Sequence, residues 1–248
     1  MTSPEGALTI TAVETAGDRE AFIRVPWPIY RDDPAWVPPL LMERRDHLNP
    51  KKNPFFQNAE ARFWLALRDG RPVGRISAQV NRAHLARHND ATGHFGLLEA
   101  EDRAETFQAL LRTAEDWLRG QGMTRAAGPF SLSINEESGL LVDGFESPPS
   151  LMMGHARPYY AARLEDLGYR KIKDLICYHY DARRDLPPAA AHLLRKTLRA
   201  ENLTIRPLDM ANYERDLGVI RDIFNDAWSE NWGFLPMSDA DLRHLAKE

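Results

Sequence analysis

Cysteine is almost absent from this 248-residue chain: Cys177 stands alone, so no intramolecular disulfide can form, and a reducing cytoplasm is the expected compartment. Its neighbours Ile176 and Tyr178 lead us to expect a buried strand thiol there rather than a nucleophile. No run of about 18 consecutive apolar residues occurs, so no membrane-spanning helix is expected. Residues 1–6 lack a basic region leading into an apolar stretch, which gives no reason to expect a secretory signal. Basic charge is also in deficit. Lys and Arg number 32 against 36 Asp and Glu, a formal charge of −4, so there is no cationic excess to displace counterions from nucleic acid. What remains, with 43% hydrophobic and 27% charged residues, is the composition of an ordinary globular chain, with room for one large core and part of a second.

Periodicity divides the chain further. Leu8 to Glu14 alternates as a half-buried strand, and Asp18 is the expected N-cap of a short helix through Phe22 and Ile23 that ends at Pro26 and Pro28. From Pro26 to Pro54 the chain is dense in proline and aromatics, including Trp27, Tyr30 and Trp36. It reads as a loop-and-helix layer packed over a sheet or as one wall of a substrate cleft. Ala61–Leu67 and Pro72–Val80 are strand-like and joined through Asp69-Gly70, a strong hairpin signal. Gly93–Leu98 reads as a strand. Phe107, Leu110, Leu111, Ala114, Trp117 and Leu118 form one face of a helix ending near Gly120, and Thr124–Ala127 is a short strand. Phe130–Gly154 reads as a long ordered loop. Pro158 opens a helix that stops at Gly168, and Tyr169–Tyr180 is expected to be a strand. A basic helix over His192–Ala200, a strand over Leu203–Leu208 and a helix over Tyr213–Trp228 follow. His84 and His88 lie four residues apart and His94 follows, but Asn89, Asp90 and Gly93 make the segment loop-like. A solvated turn without metal is the expectation.

Two segments carry a resemblance. The run from Pro158 to Tyr169, PYYAARLEDLGY, resembles the late helix of GNAT acyltransferases, and the hairpin from Trp64 to Ile76 looks like that family's central hairpin. Element order from residue 8 to 180 is similar to the same family, and residues 139–145, GLLVDGF, look like a segment of bacterial tandem-GNAT proteins. The resemblance implies an α/β (α+β) fold with a GNAT-like mixed, mostly antiparallel central sheet flanked by helices. It also implies a division into a GNAT-like domain over 1–185, a connector helix over 186–201 and the start of a second GNAT-like unit over 202–248.

For chemistry the resemblance implies N-acyl transfer, with acetyl-CoA or another acyl-CoA as donor and a small-molecule amine as acceptor. The family holds the CoA pyrophosphate in a glycine turn, and the matching stretch Leu97–Glu105 has four acids and no glycine. Arg103 and the first-turn amide of Ala104 are the contacts that remain there. Leu164 stands where the family often places a tyrosine that protonates the leaving thiolate. Tyr160, one turn earlier on the same face, becomes the candidate acid. In the Ser- and Gly-rich loop, Glu136 or Glu137 would take a proton from the acceptor amine while Asn135 orients it. Two alternatives stay open: a catalytically silent module that binds a ligand or partner, and a transferase using an acyl donor other than CoA. Trp228, Trp232 and Phe234 pack on the first unit or form an association surface that makes a homo-oligomer.

Overall fold

The computed structural model describes residues 6–179, 181, 183–200 and 206–246. Five strands form one sheet in sequence order: β1 (Leu8–Ala12), β2 (Ala59–Arg68), β3 (Arg71–Asn81), β4 (Thr92–Ala100) and β5 (Arg125–Ala127). The first four pair antiparallel and β5 lies parallel to β4, giving the mixed, mostly antiparallel sheet expected of a GNAT-like unit. Between β1 and β2 run α1 (Ala16–Arg24), α2 (Pro26–Ile29), α3 (Leu41–His47) and α4 (Phe55–Asn58). After β3 come α5 (Arg82–His88), then α6 (Ala104–Gly120) between β4 and β5, and α7 (Tyr159–Asp166), α8 (Pro188–Ala200), α9 (Tyr213–Ala227) and α10 (Asp239–Leu245).

The period-two alternation of the strands puts one apolar set on each face. Ala66, Ile76 and Ala78 meet Phe107, Leu110 and Leu111 of α6 and Tyr160 and Leu164 of α7, whereas Leu65 and Leu97 meet Phe22, Ile23 and Leu48 of the α1–α4 layer. The proline-rich stretch is therefore a loop-and-helix layer packed over the sheet, as one of its two readings had it.

A break in alternation on β4 sets up everything that follows. Phe95 packs toward α6, but so do Leu98 and Ala100, while Leu97 points to the other face. The phase reverses at Gly96–Leu97, where Leu97 has φ of 46° and the β3–β4 register slips between Arg75 and Ser77, as at a β-bulge. As a result Glu99 reaches the groups of the α1–α4 side instead of being buried against α6. Gly96 is indispensable to this geometry: a Cβ there would lie 1.5 Å from the carbonyl oxygen of Phe130. Gly96→Ala is expected to cost about 1–3 kcal/mol, as overpacked sites do, read as a lowered urea midpoint. An unchanged midpoint would show that the backbone at Phe130 yields freely.

Several expectations are corrected. The N-cap of α1 is Thr15, and Asp18 is its capping-box partner three residues on: Thr15 Oγ1 accepts from the Asp18 N–H at 3.1 Å, and Asp18 Oδ2 accepts from the Thr15 N–H at 2.9 Å. The Tyr169–Tyr180 run forms no strand over residues 169–179, because β5 is only three residues long and offers no further edge to pair with. Ile172, Leu175 and Ile176 lie exposed, and so does the Cys177 thiol, which is not buried in a strand. The histidine segment is helical, and His84 and His94 are buried with rings 4.6 Å apart. Residues 203–205 of the Leu203–Leu208 run, and Tyr180, lie outside the described residues, and 206–208 are not in a strand. Phe234 is buried, and the segment around it is tied to α5 by Arg87 donating to Ser229 O (2.6 Å) and by His88 Nε2 lying 3.1 Å from Phe234 O.

Candidate functional site

β4 and β5 pair only over Thr92–His94 and then separate, which leaves the second half of β4 without a neighbour on that side. Two tyrosines of α7 stand in for the missing strand. The Tyr159 hydroxyl donates to Ala100 O (2.7 Å), and the Ala100 N–H donates to Tyr160 Oη (3.0 Å). In the gap between Leu97–Glu99 and Pro129–Ser131 lies an inner cavity of about 110 Å³, which suits a small polar headgroup. It adjoins an outer cleft of about 540 Å³, within the range of ligand sites, and the two share Val37, Pro39, Arg44, Glu137, Pro149 and Met153. The walls are the proline-rich stretch, the 130–154 loop and the chain near Leu235. Val37, Leu151 and Met153 present apolar surface.

Glu99 closes the inner end. Its Oε2 accepts from Tyr30 Oη (2.8 Å) and Tyr160 Oη (2.7 Å), and Oε1 lies 3.8 Å from Arg75 Nη2. Burial raises the Glu99 carboxyl above its ordinary value, with the Arg75 charge and the two phenols opposing this without cancelling it. Burial and the neighbouring Glu99 raise Tyr160 well above the usual phenol range. Arg75, on β3, is held by carbonyls: Nη1 donates to Phe22 O (3.1 Å), and the guanidinium lies 5.1 Å from the Phe22 ring centre.

Toward the mouth, charges alternate. Arg44 pairs with Glu137, whose Oε2 also accepts from Ser131 Oγ (3.3 Å), and His47 Nε2 lies 2.6 Å from Glu136 Oε2. Asn135 donates through Nδ2 to Leu235 O (3.3 Å) and so ties the loop to the C-terminal segment. On the side wall, His155 Nε2 lies 3.0 Å from Asp33 Oδ2, which Arg157 Nη1 also reaches at 3.3 Å.

Of the residues singled out from sequence, Tyr160 and Glu137 line the inner cavity, and Glu136, Glu137 and Asn135 line the outer cleft, so these four share one site. Arg103 and Ala104 stand apart at the start of α6 and line neither. Leu97 to Ala100 belong to β4, which leaves Glu101, Asp102 and Glu105 around the helix start. Arg68 pairs with Glu101 (2.8 Å) and with Glu105, Arg163 with Asp102 (2.8 Å), and Thr106 Oγ1 donates to Glu101 (2.9 Å). A CoA pyrophosphate does not fit this turn: its basic groups are already matched to carboxylates, and no glycine opens the backbone. Sequence reading gave no role to Glu99, Arg75 or His155, and placed Tyr30 and Asp33 only within a stretch that could wall a cleft. For the β4 residues the usable signal was Gly96 inside a strand pattern, which marks a bulge or a close backbone approach.

Among the described residues no cluster of three or more His, Cys, Asp or Glu is arranged to hold a metal, and no helix is long and apolar enough to cross a membrane. No protein-family model matches the chain. It is 45% identical over 246 residues to a protein of Caulobacter vibrioides named bacterial ceramide synthase, covering 99% of this chain and 64% of that protein. It is 43% identical over 233 residues to protein YghO of Escherichia coli, covering 93% and 59%. The chain thus spans just under two thirds of the length of these curated relatives. Solved structures that align with it include a putative acetyltransferase from Agrobacterium tumefaciens (13% identity, 69% of this chain and 99% of that one, TM-score 0.41). Another is a tandem GNAT protein from the clavulanic acid pathway (16% identity, 65% and 43%, TM-score 0.41). By strand order, by the parallel β4–β5 pair and by the helices on both faces, the described fold is GNAT-like, and by sequence the chain is similar over nearly its whole length to the Caulobacter protein.

Proposed function

We propose that this chain transfers a long-chain acyl group from a thioester to the primary amine of a long-chain amino alcohol, forming an amide. The observation that carries this reading is a polar inner cavity at the free edge of β4, adjoining a wide, largely apolar cleft. Reacting headgroups fit the first, and hydrocarbon fits the second. The likeness along 99% of this chain to a protein named for ceramide synthesis supports the same product class, since a ceramide is an N-acyl amide of a long-chain amino alcohol. Glu137 at the junction and Glu136 in the outer cleft already face Arg44 and His47, and an acceptor ammonium entering the cleft competes with those groups for the two carboxylates. Asn135 shapes that junction by holding the Leu235 segment. Tyr160 stays next to the reacting groups, but its one proton is committed to Glu99, so its part is to position the β4 edge.

Incubating the purified chain with palmitoyl-CoA and sphinganine tests the reading, with free thiol and amide mass as readouts. Stoichiometric release of both is expected, and absence of both would remove it. Since the α6 turn offers no pyrophosphate cradle, palmitoyl-pantetheine is expected to match palmitoyl-CoA in kcat/KM to within about tenfold, or about 1.4 kcal/mol. A preference for CoA above about a hundredfold, or about 2.7 kcal/mol, would mean that the nucleotide is gripped after all. The ion-paired turn also favours a second reading, a module that binds the lipid without turning it over. Retention of sphinganine with no thiol release would select it.

A further inference from the structure

Among the described residues only two buried side-chain polar atoms lack a hydrogen-bond partner, Arg75 Nε and His155 Nδ1. Both residues line the inner cavity. Buried polar atoms are nearly always satisfied, so two exceptions converging on one cavity point to a ligand with complementary polar groups. Arg75 Nε can only donate. His155 is held from its other nitrogen: Nε2 faces Asp33 Oδ2 at 3.0 Å. A carboxylate there accepts the Nε2 proton and leaves Nδ1 with a lone pair, since the bond made by one ring nitrogen sets the role of the other. Between them these two wall residues carry one unsatisfied donor and one unsatisfied acceptor, the complement of a carbonyl oxygen beside an amine N–H.

Asp33 is built for this task. Its Oδ1 accepts from the Ala35 N–H (3.0 Å), and the carboxylate is nearly buried. Burial pushes its pKa up, but the hydrogen bonds from His155 and Ala35 outweigh this and hold it below the usual carboxylate range, so it is ionised at neutral pH. The His155 ring packs 5.4 Å from that of Tyr30. The other charged groups around it are Arg157 on the Asp33 carboxylate, Glu99 and Arg75 at the inner end, and Arg44 with Glu137 toward the mouth.

We propose that His155, oriented by Asp33, is the catalytic base and then the acid of the acyl transfer. This rests on the reading of the cleft as an N-acyltransferase site. The neutral amine attacks the thioester carbonyl carbon, forming the C–N bond as the carbonyl electron pair moves to oxygen. The nitrogen proton passes to His155 Nδ1. The carbonyl re-forms and the C–S bond breaks, the electron pair leaving on sulfur. Nδ1 then returns the proton to that thiolate, so thioester plus amine become amide plus thiol with every proton accounted for. One imidazole performs both transfers, which Tyr160 cannot do while its proton is held by Glu99.

The test has two readouts. In histidine-selectively ¹⁵N-labelled protein, with the signal assigned by its loss in His155→Gln, His155 is expected as the Nε2–H tautomer at pH 7.5. Its Nδ1 resonance is expected to move when 2-aminooctan-1-ol is added. An Nδ1–H tautomer, or an Nδ1 resonance that saturating amine leaves in place, overturns the dyad. In turnover with palmitoyl-CoA and sphinganine, His155→Gln, which keeps a donor for Asp33, is expected to lower kcat about 10²- to 10⁴-fold, with KM for the amine changed less than about threefold. Asp33→Asn is expected to lower kcat in the same direction. A His155→Gln kcat within about threefold of wild type overturns the assignment while acyl transfer itself stands. No amide from the wild type removes the transferase reading, which the tautomer measurement does not depend on, so the two failures are separable.

Discussion

Arg75→Met is expected to lower the free energy of unfolding at pH 8 by about 3–5 kcal/mol, the cost of leaving a buried charge without its partner. Arg75 and Glu99 side chains are only 10% and 12% exposed, and among the described residues no other cation is paired with Glu99. Methionine fills much of the guanidinium's volume, so the loss measures charge more than packing. A double variant, Arg75→Met with Glu99→Gln, is expected to recover at least half of the loss. The amide oxygen still accepts from Tyr30 and Tyr160, and it carries no charge to be stranded. The pH dependence has a definite sign. Burial already raises the folded-state pKa of Glu99 above its ordinary 4.5, so the folded protein binds this proton more tightly than the unfolded chain does. That contribution is fully present below 4.5 and is lost as pH rises through the folded value. Removing Arg75 raises the folded value further, and the penalty of Arg75→Met is expected to be smaller at pH 5 than at pH 8. Urea denaturation at both pH values measures it. A penalty under about 1 kcal/mol at pH 8 would mean that solvent reaches Glu99 and neutralises the argument from burial.

The buried histidine cluster of α5 and β4 predicts an acid-labile fold. Burial, reinforced by the nearby His84, lowers His94 from its ordinary 6.5 to about 3. The unfolded chain therefore takes up this proton first as pH falls. The stability from keeping His94 neutral is present above 6.5 and is lost between 6.5 and about 3. At pH 4 the loss amounts to about 3 kcal/mol, from 1.36 kcal/mol per pH unit over that interval. His94 stacks on Phe130, with ring centres 4.9 Å apart, and His84 Nε2 lies 3.1 Å from Asp90. Protonation thus strikes where the 130–154 loop and the Phe234 segment meet the sheet. His94→Phe keeps the stack and removes the titration. Its loss of stability between pH 7.5 and pH 4 is expected to be about 3 kcal/mol smaller than that of the wild type. Identical losses in the two proteins would place the acid sensitivity elsewhere, in carboxylates such as Asp33 and Asp90.

Much of the scaffold is legible from local pattern. Asp69 and Gly70 both adopt positive φ, 49° and 75°, as a two-residue hairpin turn demands, and the hairpin lies where those residues announce it. The apolar stripe of α6 and the Pro158–Gly168 helix likewise follow from spacing alone. Local pattern fails where an element depends on a neighbour. Residues 169–179 have strand-forming side chains, but a strand needs an adjoining edge, and β5 ends after three residues. Glu99 looks like one of four acids heading α6, because nothing local reveals that the strand runs on to Ala100 or that its phase reverses at Leu97.

The same division runs through the site. Glu136, Glu137, Asn135 and Tyr160 could be named in advance, because a polar loop and the turn of one helix are local features. His155 sits in a loop with no periodic signal, and its partner Asp33 lies 122 residues away, so their pairing at 3.0 Å exists only through packing. The amino-acid sequence by itself determined the hairpin and the amphipathic helices, since these follow from spacings of two to four residues and from turn chemistry, whereas the mixed sheet was expected only from the resemblance to GNAT acyltransferases. Only the tertiary structure decided which charges are buried together and which polar atoms are left to meet a ligand. Those depend on a one-residue shift in β4 and on where β5 leaves its neighbour, which long-range contacts set and no local spacing encodes.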